Sequence, residues 1–175
     1  MTMTVNDRAR AAATFRFIEV KLMELVAAWT PTTPEMEAKV MFGRHIYDHA
    51  QHADALGKRT FELRQPEHYT VPADAAYVDL LQRVAALKGT GERLAALYDA
   101  VLPGLVRRYE SYIAATDPIL DEPSVDIMRR IVGDLRRQSE QGRAMIRELS
   151  LDAAPSSLAA EESAIPHLAT AGATA

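Results

Sequence analysis

Between Pro34 and Pro66 the chain has no proline, and its apolar residues Phe42, Ile46, Ala53 and Leu56 recur at helical spacing. This pattern predicts one helix from about Pro34 to Leu63, longer than most helices of globular proteins. Gly43 and Gly57 lie inside it at a tolerable cost of about 1 kcal/mol each. A rod of that length has to bury one face against other rods.

The remaining segments follow the same period. Asn6 or Asp7 can cap a first helix that runs to about Trp29, with Ala12, Phe15, Leu22 and Val26 on its apolar side. Thr30-Pro31-Thr32-Thr33-Pro34 breaks it, and Thr33 followed by Pro34 suits the start of the second helix. A shorter helix is predicted over about Ala73–Leu87. A third long one spans about 90–115, with a kink at Pro103-Gly104. The last long helix starts at Asp121-Glu122-Pro123-Ser124 and reaches about Leu149. Its core face is Val125, Met128, Val132, Leu135, Gln138, Gly142 and Met145. From Asp152 onward alanine, serine, proline and threonine dominate without periodicity, so residues 152–175 read as a disordered tail. Strand signals are absent. The expected fold is an all-α four-helix bundle over residues 1–151, with one extra short helix between helices 2 and 3.

The composition narrows the function. At 175 residues the chain is long enough for one domain with a real core. A net charge of −4 and the absence of any basic cluster argue against a nucleic-acid partner. The lack of cysteine removes disulfides, thiolate metal sites and thiol nucleophiles. No apolar run approaches the roughly 20 residues of a membrane span. The first residues lack the apolar core of a signal peptide, so a cytoplasmic location is the expected default.

Three of the five histidines, His45, His49 and His52, fall at i, i+4 and i+7 on the buried side of the second helix. Imidazoles on adjacent turns are what a metal site in a helical bundle needs. Because i to i+7 spans about 10 Å along the axis, all three cannot face one ion equally. His49 with either His45 or His52 is the practical pair. Glu19 lies between Phe15 and Leu22 on the apolar side of the first helix.

Glu19 together with Asp48-His49-Ala50-Gln51-His52-Ala53 resembles the ferritin-like dimetal-carboxylate superfamily. Those bundles carry a Glu on two helices and Glu-x-x-His on the other two. The string is similar to that family's Asp-Glu-Ala-Arg-His-Ala, with His49 where the Glu would stand and His52 matching the histidine. The resemblance implies Glu110, between Val106 and Ile113, as the carboxylate of the third helix. Asp134-Leu135-Arg136-Arg137-Gln138 is similar to the fourth-helix motif, with Leu135 in place of the Glu and Gln138 in place of the His. The resemblance covers about residues 7–149. With those ligands replaced, it implies a degenerate centre that holds at most one metal ion and not a diiron site that activates oxygen.

Three readings of the centre follow. Glu19, His49 and His52, with His45 or Asp48 adjacent, would suit one iron or zinc ion. Alternatively the imidazoles need no metal and are satisfied by hydrogen bonds to Glu19, Asp48, Glu110, Tyr109 or Gln138. In the third reading His49 or His52 pairs with Glu19 as a general acid–base group in a polar cavity that isomerises, cyclises or binds a small molecule. Tyr109, in register with Leu102 and Leu105, is the tyrosine expected to reach that cavity. Arg44 fits a substrate carboxylate or an i, i+4 pair with Asp48. The function expected is a small-molecule enzyme or binding protein. A non-catalytic scaffold or interaction partner is the alternative, and an exposed helix face would allow a homodimer.

Overall fold

The structure, a computed structural model, describes residues 3–153 and 157–166. It is all-helical, with no β-strand among the described residues. Helix α1 spans Val5–Trp29 and α2 Met36–Glu62, and a short 3-10 turn at Thr30–Thr32 follows α1. Helix α3 is Ala75–Ala85 and α4 is Thr90–Ala95. A π-helical segment at Ala96–Val101 links α4 to α5, Leu102–Ala115. Helix α6 is Glu122–Glu148 and α7 is Leu158–Ala164. No helix among the described residues is long and apolar enough to cross a membrane.

The helix ends show where local chemistry differs from expectation. The cap of α1 is Thr4, not Asn6 or Asp7. The Thr4 hydroxyl accepts from the Asp7 amide at 3.2 Å, and the Asp7 carboxylate accepts from the Thr4 amide at 2.8 Å, a reciprocal capping box. Thr33 does not cap α2. Its hydroxyl donates to the Trp29 carbonyl at 2.9 Å and so closes the C-terminal end of α1. Asp74 caps α3 by accepting from the Ala76 amide at 2.9 Å.

Helices α1 and α2 form the most extensively packed pair. The rod formed by α4, the π segment and α5 lies beside α6, and α6 also packs on α2. Leu22, Val26, Phe42, Leu56, Leu97, Leu102, Met128 and Leu135 meet in one continuous apolar core. The third rod absorbs Pro103 without ending. Proline has no N–H to return to the preceding turn, and the rod widens into the π segment immediately upstream. Gly142 lets α6 approach that segment, because a Cβ there would lie 2.1 Å from the Tyr98 ring.

The expectation of a disordered tail is corrected over residues 158–164, which form α7. Its Glu162 is 1% exposed and accepts from Arg108 Nε at 2.6 Å and from an Arg107 terminal nitrogen at 3.0 Å. The Glu162 carboxylate occupies the space that a Cβ on Gly104 would need. Two arginines and a missing side chain thus hold a helix too short to stand alone. Residues 154–156 and 167–175 of the expected tail lie outside the described residues.

Candidate metal centre

Three buried side chains on two helices meet in the core. Glu19 of α1 extends one carboxylate oxygen, Oε2, to both imidazoles of α2: His49 Nδ1 at 2.6 Å and His52 Nδ1 at 3.0 Å. Ligand atoms of Glu19, His49 and His52 all lie within 4.8 Å of one another, so the trio could hold a metal ion. Glu19 and His49 are fully buried, and His52 is 5% exposed. The i, i+3 step puts the two rings on one side of α2, and α1 supplies the acid opposite.

A second layer surrounds the trio. Tyr109 of α5 donates its hydroxyl hydrogen to Glu19 Oε1 at 2.8 Å, while its ring stacks on Phe15 with centroids 4.1 Å apart. His52 Nε2 meets Asp134 Oδ2 of α6 at 3.1 Å. Arg137 pairs with Asp134, and its other terminal nitrogen reaches Asp48 Oδ2 at 3.2 Å. Gln138 Nε2 donates to the same Asp48 oxygen at 3.2 Å. Charges therefore alternate from the core to the α2–α6 surface along Glu19, His52, Asp134, Arg137 and Asp48.

Protonation follows from these contacts. Burial opposes ionisation of Glu19, but the charge on His52, hydrogen bonds from both imidazoles and the charge on His49 outweigh it and hold the carboxyl down at about 2. Burial also opposes the cationic form of His52. The Glu19 charge and hydrogen bonds to Glu19 and Asp134 prevail and raise its pKa. Both of its ring nitrogens then donate to carboxylates. Burial raises the Tyr109 phenol well above its ordinary value, and the neighbouring Glu19 charge adds to this, so it stays a donor.

His45 belongs to a separate rung. Tyr98 lies 2.7 Å from its Nδ1, and Gln141 Oε1 lies 2.9 Å from its Nε2. Because Gln141 Oε1 can only accept, Nε2 carries the hydrogen and the tyrosine donates to Nδ1. Burial is the main cause that lowers the His45 pKa to about 4, which keeps this imidazole neutral.

Of the residues singled out from sequence, Glu19, His49, His52 and Tyr109 come together, and Asp48 and Gln138 join them through the rim. Glu110 is a correction. It points away from the centre, half-exposed, and accepts from Arg136 at 2.5 Å. Tyr109 takes the inward position, and the next residue on a helix is turned about 100° away. The expected Arg44–Asp48 pair is also absent, because Asp48 is engaged by Arg137 and Gln138. Sequence reasoning missed Asp134 as the partner of His52, and Tyr98 and Gln141 as the partners of His45. An antiparallel register of α2 on α6 pairs 45 with 141 and 52 with 134, which the spacing within either helix alone does not reveal. Two of the buried side-chain atoms without a hydrogen-bond partner among the described residues lie at this centre, His49 Nε2 and Gln138 Oε1. No family model, curated protein or solved structure matches the chain.

Proposed function

We propose that the protein is a ferritin-like bundle whose centre binds one divalent transition-metal ion on Glu19, His49 and His52 and uses it to act on or hold a small molecule. The observation that carries this reading is the two-imidazole, one-carboxylate donor set in the core. Its outer oxygen and outer ring nitrogen are already held by Tyr109 and Asp134. Metal-binding histidines generally donate their second ring N–H to a carboxylate, and ligating carboxylates are themselves hydrogen-bonded. The donor set suits iron(II) or zinc. Leu135, fully buried and apolar, offers nothing to a second ion.

The two unpartnered atoms fit the same reading. Gln138 Oε1 can only accept, and His49 Nε2 has no partner of its own. Ligation through Nδ1 would move the remaining hydrogen to Nε2 and make it a donor. Gln138 lies on α6 between the rungs formed by Gln141 and Asp134, opposite Asp48, the residue that precedes His49 on α2. A bound ion would supply Lewis-acid or one-electron chemistry in a site shielded from bulk water. The protein's own part is to fix the two Nδ1 atoms and the carboxylate, and to keep Nε2–H of His52 on Asp134.

One observation favours a metal-free reading: the His52 cation already lies between two carboxylates, an arrangement that closes without an ion. Titration of chelator-treated protein with zinc and with anaerobic iron(II) separates the two. The metal reading expects about one ion per chain, lost in Glu19→Gln and His52→Ala. A wild-type protein that takes up no ion supports the metal-free network.

A further inference from the structure

We propose that the groove between α2 and α6 binds a small carboxylic acid with an apolar body, anchored by Arg44. Two contiguous hollows of about 470 and 510 Å3 run along this face and share Val40, Arg44 and Gln141. One is the more apolar, with Met36, Met41 and Met145 in its walls beside Glu37 and Glu148. The other is polar and reaches His45, Asp48 and Arg137. Arg44 stands where they join.

Its usual helical partner is occupied. Asp48, four residues on, has its Oδ2 engaged by Arg137 and Gln138, each at 3.2 Å. Arg44 has no ion pair or hydrogen bond among the described residues, and it is exposed. A guanidinium that lies over a groove and makes no ion pair of its own can engage an incoming carboxylate through two parallel hydrogen bonds. Methionine side chains adapt to varied apolar shapes, which fits the neighbouring hollow for a hydrocarbon body.

The surrounding charges set the ligand class. Glu37 and Glu148 border the apolar hollow, and Asp48 borders the polar one. Three carboxylates facing Arg44 and Arg137 repel a phosphate dianion more strongly than a monoanion, so the ligand class is a singly charged acid held at Arg44. His45 is neutral in its wall position, and its Nε2 hydrogen is committed to Gln141, so it neither attracts nor repels the anion. Gly43 lines the polar hollow, and a Cβ there would meet nothing within 4 Å, so this wall is open to a ligand.

Octanoate, octanol and octylamine titrated into the isotope-labelled full-length protein, read by amide NMR shifts, test this directly. Octanoate should saturate shifts at Gly43, Arg44 and Ala144, octanol should bind markedly more weakly, and octylamine should not bind there. Arg44→Gln should weaken octanoate about tenfold, an exposed charge-assisted contact. Ala144→Trp, which fills the apolar hollow and leaves Arg44 in place, should also weaken it. Equal affinity for octanol and octanoate, no effect of Arg44→Gln, or no octanoate shifts on this face would overturn the proposal. The readout needs no metal, so its outcome is independent of the titration of the Glu19 centre.

Discussion

Tyr109 donates its hydroxyl hydrogen to Glu19 across 2.8 Å in a region where both side chains are fully buried. Through this bond α5, a helix that gives no ligand to the trio, fixes the carboxylate that joins α1 to α2. Tyr109→Phe keeps the stacking on Phe15 but leaves Glu19 Oε1 without its donor. It should cost about 1–3 kcal/mol in chemical denaturation and weaken zinc binding. A variant as stable as the parent would mean that the bond contributes nothing net.

Glu19→Gln keeps the shape of the side chain and removes the negative charge between two imidazoles. Truncating one member of a buried ion pair leaves the other uncompensated, and the expected loss is about 3–5 kcal/mol. Glu110→Gln is the matched control. Its partner Arg136 is exposed and the pair lies outside the bundle, so stability should change by roughly 0.5 kcal/mol or less and metal binding not at all.

The pH dependence has two arms. His45 is held near 4 against an ordinary 6.5. The unfolded chain therefore takes up a proton that the fold refuses, and stability falls as pH drops from about 6.5 to 4, by on the order of 3 kcal/mol. Glu19, held near 2 against 4.5, extends the acid loss below that window. His52 works in the other direction, because its raised pKa gives stability that is complete below about 6.5 and lost as pH rises through the folded value. Denaturation midpoints of His45→Gln should be flatter than those of the parent between pH 4 and 6.5. An unchanged slope would remove His45 from the account.

Gln138→Leu should leave the fold nearly intact, because the amide it removes has one unpaired oxygen and Asp48 keeps its pairing with Arg137. Zinc affinity should nevertheless fall, by about tenfold or more, because Gln138 Oε1 is the acceptor proposed for the hydrogen that ligation leaves on His49 Nε2. Competition with a chelating dye measures it. Equal affinity would show that His49 needs no partner on α6.

Much of this architecture is legible in the sequence. The apolar spacing in α1, α2 and α6 places Glu19, His49 and His52 on buried faces, because a period of 3.6 fixes which side chains share a side. Tyr109 follows from its register with Leu102 and Leu105. What escapes is set across helices. Asp134 meets His52 and Gln141 meets His45 only through the antiparallel register of α2 on α6. Helix α7 has no amphipathic pattern, and its place depends on Glu162 reaching two arginines 54 and 55 positions earlier. Glu110 sits at the edge of a wide apolar stripe where spacing alone cannot separate inward from outward.

The most direct measurement is the nitrogen chemical shifts of the histidine rings, followed while one equivalent of zinc is added. Nδ1 of His49 and of His52 should move to metal-bound values, Nε2 of both rings should carry hydrogen, and His45 should keep its Nε2–H tautomer unchanged. Zinc that leaves His49 and His52 untouched, or that shifts only the exposed ring of His68, would contradict the metal reading.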